Sequence, residues 1–181
     1  MMLSRLPLLA CGDSLPRRNR GFTIIEMMMT VVILGILAML AIPSFNDLIL
    51  STRIKGGASD IYSALILARS EAIKRGTNVT ITPTSGLWTN GWQVAVGGTV
   101  LRNQDALSKL TVECPSGTAC NQTLTFQRNG RLSGTSTVSI EVYIQDAPAT
   151  RRVAMRCVSV SVSGQVNVLA DNNLDGNCAN G

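Results

Sequence analysis

Between Phe22 and Ile42 the chain carries one charge, Glu26, and this run follows directly on the basic stretch Arg17-Arg18-Asn19-Arg20-Gly21. The run is 21 residues long (42 minus 22, plus one). As a helix rising about 1.5 Å per residue it matches a ~30 Å hydrocarbon core. A carboxylate at mid-bilayer costs roughly 2.5–3.5 kcal/mol, and less near the end of a span. Glu26 falls in the first turns, where the positive end of the helix dipole partly offsets its charge. A costly group held at one place in an apolar segment calls for a partner, and a free amino group on Phe22 would supply one.

Residues 1–21 read as a leader. They hold Arg5, Arg17, Arg18 and Arg20 against Asp13, a net of +3 (4 minus 1). An ordinary secretory signal is cut after its apolar core, beside small residues. Here the small residue, Gly21, lies before the core, and no small-x-small site follows Ile42. Cleavage after Gly21 would discard the charges and keep the apolar helix. The arginines would stay on the cytoplasmic side and direct the rest of the chain outward.

Gly21-Phe22-Thr23-Ile24-Ile25-Glu26 closely resembles the G-F-T-x-x-E hallmark of the type IV prepilin family. The resemblance implies a prepilin peptidase that cuts after Gly21 and methylates the amino group of Phe22. It implies that Glu26 helps align incoming subunits, and that Pro43, at mature position 22 (43 minus 21), kinks the helix. A proline there removes one backbone hydrogen bond and bends the rod.

The mature chain would have 160 residues (181 minus 21) and a net charge of +2, from 12 basic and 10 acidic groups. That is room for one long helix and one head domain. The expected divisions are the leader 1–21, an apolar helix 22–45, an amphipathic continuation 46–76 and a β-rich head 77–181. In the continuation, Ile54, Ala58, Ile61, Leu65, Ala68 and Ala72 are spaced 4, 3, 4, 3 and 4, one helical face. Gly56-Gly57 predicts a flexible point or bend. Lys74 and Arg75 suit the last turn, with Gly76 as a left-handed cap.

Beyond Gly76 the period becomes two. Strands are expected at Asn78–Thr82, Trp92–Val96, Lys109–Glu113, Thr123–Gln127, Val138–Ile144, Arg152–Val162 and Gln165–Leu169. Val153, Met155 and Cys157 share one parity, whereas Val158, Val160 and Val162 share the other, which predicts a bulge near Cys157. The fold class is α+β: a lollipop with a long N-terminal helix packed on an antiparallel β-sheet head.

Leu67 to Gly76, Phe126 to Ser133, Arg152-Val153 and Ser163 to Val166 are similar to landmarks of GspH/FimT-type minor pilins. This resemblance implies a low-abundance, non-enzymatic subunit that primes or caps a type IV pilus, in company with major and minor pilins. It would be a single-pass inner-membrane protein with a periplasmic head, later part of a filament. The wording of Arg69 to Gly76 favours the pilus branch. A minor pseudopilin of the type II secretion system is the alternative, and a DNA-uptake or adhesion adaptor comes third.

Cys11 leaves with the leader, and Cys114, Cys120, Cys157 and Cys178 remain. Four cysteines in an exported domain suggest disulfides with three possible pairings. The preferred pairs are Cys114–Cys120 and Cys157–Cys178. A zinc site has neither a C-x-x-C pair nor a histidine to draw on. The same lack of histidine leaves no triad, and no phosphate-binding loop is present, so catalysis is not expected. Asp171, Asn173, Asp175 and Gly176 match the first half of a calcium loop, but the place of its bidentate glutamate lies past Gly181. An Asx-rich turn feeding Cys178 is the plainer reading.

Some relatives bind DNA through a G-R-x-R motif, where this chain has Gly164-Gln165-Val166-Asn167. Arg128, Arg131, Arg151, Arg152 and Arg156 remain as candidate phosphate contacts. Weak, non-specific binding at most is expected. A gel shift of the head at physiological salt checks this, and tight binding would refute it.

Overall fold

The computed structural model describes residues 21–115, 122–144 and 153–178, apart from the side chains of residues 40–44. The leader up to Arg20, together with Cys120, Arg151 and Arg152, lies outside the described residues. The chain forms two compact units, one up to Ala41 and one from Ile42 onward.

Helix α1 spans Ile24–Arg75. It opens on Thr23, whose Oγ1 accepts the backbone N–H of Glu26 at 3.2 Å, satisfying an amide that the first turn leaves free. The helix runs through Pro43, whose side chain, and with it the predicted kink, is outside the described residues. It ends where expected. Gly76 takes a φ of +63° and donates its N–H to the carbonyl of Ile73. Glu71 pairs with Arg75 and Lys74 in the last turns. The hydrogen bond from Arg75 holds the Glu71 carboxyl below its ordinary value of 4.5. Its support of the helix end is therefore present above that value and fades as pH falls through the lowered one.

Among the described residues eight strands follow: β1 Val79–Pro83, β2 Trp92–Val96, β3 Thr99–Gln104, β4 Thr111–Glu113, β5 Leu124–Phe126, β6 Val138–Tyr143, β7 Arg156–Val160 and β8 Val166–Ala170. They make two four-stranded sheets rather than one, ordered β3-β2-β1-β5 and β4-β6-β7-β8. All pairings are antiparallel. The inner faces carry Val79, Ile81, Trp92, Val94 and Phe126 from one sheet, and Val112, Ile140, Val142, Val158 and Val160 from the other. These residues close on the helix stripe Ile54, Ala58, Ile61, Leu65, Ala68 and Ala72, all buried, with Ala64 added to it. Burying each large aliphatic side chain contributes about 1.5–3 kcal/mol.

Three expectations are corrected. First, Gly56-Gly57 does not interrupt the helix. Gly57 is buried, and a Cβ there would lie 2.7 Å from Leu110 Cδ1 and 3.4 Å from Val142 Cγ1. It is a place of close approach, not a hinge.

Second, there is no bulge near Cys157, because β7 pairs in unbroken register with both neighbours. The change of parity arises because both faces of β7 are covered. Val158 and Val160 face the helix side, while Met155 and Cys157 join Cys178 and Tyr143 in a separate cluster. The one register shift lies between Val94 and Ala95 in the β2–β3 pair. Third, β3 was not expected from the sequence. It is largely exposed, so its composition shows no inward face. The Gly97-Gly98 turn, with φ of +53° and +84°, forms the hairpin that creates it.

The loops after β5 and β7 meet over the helix. A Cβ on Gly164 (φ +79°) would lie 1.9 Å from the Gly130 carbonyl oxygen and 3.2 Å from Arg69 Nε. Both turns need glycine for conformation and for space. Gly57→Val should lower stability by about 1–3 kcal/mol through overpacking. Gly56→Ala, on the exposed side, should raise it by about 0.5–1 kcal/mol. Thermal unfolding of the two variants checks the pair, and Gly164→Ala should be at least as damaging as Gly57→Val.

Candidate functional site

From Phe22 to Met39 every residue is exposed, including Phe22, Ile24, Ile25, Met27, Met28, Met29, Val31, Val32, Ile33, Leu34, Ile36 and Leu37. So large an uncovered apolar surface is not stable in water, and it requires lipid or other protein. Glu26 sits on this segment, exposed, in the first turn of α1. Among the described residues no helix is long and apolar enough to cross a membrane. The apolar stretch with described side chains stops at Met39, about 22 Å from Ile24 along the axis. Among the described residues nothing crowds Gly21, and Phe22 is 73% exposed. The sequence reading missed Thr23, though the Thr-x-x-Glu spacing of Thr23 and Glu26 is a recognisable capping signal.

In the head, Cys157 and Cys178 form a disulfide with Cα atoms 6.1 Å apart. Cys114 is also disulfide-bonded; its expected partner, Cys120, lies outside the described residues. The tail carboxylate Asp171 is fully buried. Its Oδ1 accepts the N–H of Asp175 and its Oδ2 that of Gly176, while its own N–H donates to the Met155 carbonyl. Asn173 donates its side-chain amide to Asp175. These hydrogen bonds close a turn that delivers Cys178 to Cys157. Among the described residues no cluster of three or more His, Cys, Asp or Glu is placed to hold a metal ion.

Among the described residues, Arg128 and Arg156 lie in separate places. Arg128 and Arg131 are exposed on the turn after β5, and Arg128 lies in a polar depression with Gly76, Thr77 and Asn78 at the helix end. Arg156 is on β7, beside Lys55, Ser59 and Tyr62. Tyr62 and Gly76 are 14 residues apart (76 minus 62), about 21 Å along the helix. Arg151 and Arg152 fall outside the described residues. Gln165 and Asn167 are exposed and uncharged.

A helix with an uncovered apolar start, followed by a head wrapped on its later turns, defines a pilin-like protein. Residues 57–164 match the family model described as type II transport protein GspH, and residues 16–42 match the prokaryotic N-terminal methylation motif. The chain belongs to the GspH family. It is 40% identical over 63 residues to a fimbrial protein of Pseudomonas aeruginosa, covering 35% of this chain and 40% of that one. The chain thus spans about 40% of the length of the curated relatives it matches first. Its fold is similar to the type IV minor pilin FimU of Pseudomonas aeruginosa, with a TM-score of 0.56 and 21% identity over 67% of this chain and 94% of that one. It is also similar to the minor pseudopilin EpsH of Vibrio cholerae, with a TM-score of 0.51 and 17% identity over 66% and 98%.

Two variants test the tail. Converting both Cys157 and Cys178 to serine opens a loop of sequence separation 21 and should lower stability by about 3 kcal/mol. Asp171→Ala should cost about 1–3 kcal/mol by leaving two backbone donors without an acceptor. Denaturant unfolding under oxidising conditions measures both losses.

Proposed function

We propose that this chain is a structural, filament-forming subunit: a minor pilin that primes or caps a type IV pilus. The observation that carries the proposal is the joining of a methylation motif and an uncovered apolar helix to a GspH-family head. In this reading a prepilin peptidase cuts after Gly21 and methylates Phe22. The run Phe22–Ile42 holds the chain in the inner membrane with its head in the periplasm, then packs among other pilins. Glu26, isolated on an apolar surface, finds its partner in the amino group of a neighbouring Phe22, a charge pair strengthened by the low dielectric. Assembly therefore selects the register in which the two meet.

A minor pseudopilin of the type II secretion system is the second reading, and the GspH family model favours it. The fimbrial relatives over the first part of the chain and the Arg69–Gly76 wording favour the pilus. A structural rather than catalytic role fits a sequence without histidine. With arginine replaced at Gln165 and Asn167, capture of DNA is the weakest of the three roles.

Deleting the chain, with paired assays of surface pili and of enzyme secretion, decides the branch. Pili should be lost and secretion kept; the reverse result overturns the pilus reading. In the intact strain, mass spectrometry of the filament-bound chain should find it starting at Phe22 with one added methyl group. Glu26→Gln should leave cleavage intact and reduce incorporation into filaments at least tenfold.

A further inference from the structure

β8 is the edge of its sheet, with no strand on its outer side among the described residues. It pairs with β7 so that Val166, Val168 and Ala170 stand opposite Val160, Val158 and Arg156. Residues directly opposite share a face of the sheet, so Val168 lies on the side turned to helix α1. Yet Val158 is fully buried while Val168 is 40% exposed. The helix covers β7 and stops short of β8.

The space left is a groove of about 300 Å3, lined by Lys55, Ala58, Ser59 and Tyr62 of the helix and by Arg156 and Val168 of the sheet. The helix residues recur at i, i+3, i+4 and i+7, one stripe along its side. Ala58 and Val168 give an apolar floor, Tyr62 a ring at one wall, and Lys55 and Arg156 two cations. No carboxylate lines the groove. Neither cation forms an ion pair among the described residues.

We infer that this groove and the β8 edge bind an extended, acidic segment of another polypeptide, which adds a strand to the sheet. The unpaired backbone of β8 supplies the ladder. Alternate side chains of an added strand point to one face. An apolar one would rest on Val168 and Tyr62, and a carboxylate would meet Lys55 and Arg156 in charge-assisted hydrogen bonds. The edge itself, Val166-Asn167-Val168-Leu169-Ala170, has none of the lysines or prolines that guard free edges against pairing. A nucleic acid strand fits less well, because a phosphate backbone needs a row of cations and gains nothing from the Ala58–Val168 floor. The inference stands on the groove alone, whichever filament the chain enters.

The test uses the full chain in detergent and fluorescence anisotropy with labelled probes. The probes are a seven-residue peptide alternating valine and glutamate, its glutamine counterpart, its lysine counterpart, and an oligothymidylate. The glutamate peptide should bind about tenfold more tightly than the glutamine one. Lys55→Glu combined with Arg156→Glu should abolish that preference and favour the lysine peptide instead. Val168→Asp, on the exposed edge, should weaken the glutamate peptide about tenfold while thermal unfolding stays in place, and it decides the matter should the double variant fail to fold. Equal affinity for the glutamate and glutamine peptides, tighter binding of the oligothymidylate, or unchanged binding by Val168→Asp would each overturn the inference.

Discussion

One side of one helix serves as the floor for two sheets, and the head depends on that contact. Residues 54–72 of α1 present Ile54, Ile61 and Leu65 among Ala58, Ala64, Ala68 and Ala72, with Gly57 beside them. Small residues let the sheets come close; the few large ones fill the gaps between Trp92, Phe126 and the valines of the second sheet. Each sheet buries its inner face mainly by way of this stripe. The helix is thus a core element from Ile54 onward, whereas its first turns remain uncovered. That contrast within one element separates the part that folds from the part that must find neighbours.

The helix and its end were legible in the sequence because local signals agree with the tertiary outcome. The Ile54–Ala72 spacing matches the buried stripe, and Gly76 adopts the left-handed cap. Most strands were visible by alternation. What failed did so for identifiable reasons. β3 shows no alternation because it is an exposed edge, made by its turn instead of its side chains. The reading at Cys157 assumed that a sheet buries one face, but the disulfide-tied tail covers the other, so both parities are apolar. Gly57 looked like a weakness because propensity alone cannot show what approaches a missing Cβ. In the tail, the Asx-rich turn expected before Cys178 is present, with the Asp171 carboxylate accepting the backbone N–H groups of Asp175 and Gly176. The Gly21–Glu26 pattern was the clearest feature, and it lies within the residues that match the N-terminal methylation motif.

Two loop segments that are distant in sequence meet in the fold. Phe126 to Ser133 and Ser163 to Val166 lie far apart in sequence, yet Gly130 and Gly164 touch, and Arg69 lies against both. A hydrogen bond from Leu132 N–H to the Val162 carbonyl ties the same two segments. Arg69 Nε is buried there without a hydrogen-bond partner, so the guanidinium is held by packing at that atom and its reach is restricted. In this chain the two segments close the joint between the two sheets above the helix.

The covalent tie at the end of the chain also has a mechanical meaning. Tension entering from residues beyond Cys178 would, without the disulfide, pass into Ala170 and peel β8 from β7 one hydrogen bond at a time. With Cys178 joined to Cys157, the pull is delivered to β7, which is flanked by β6 and β8. Detaching it means breaking two ladders, where an edge strand is held by one. A pull on the tail therefore bypasses β8 and meets a strand with two neighbours.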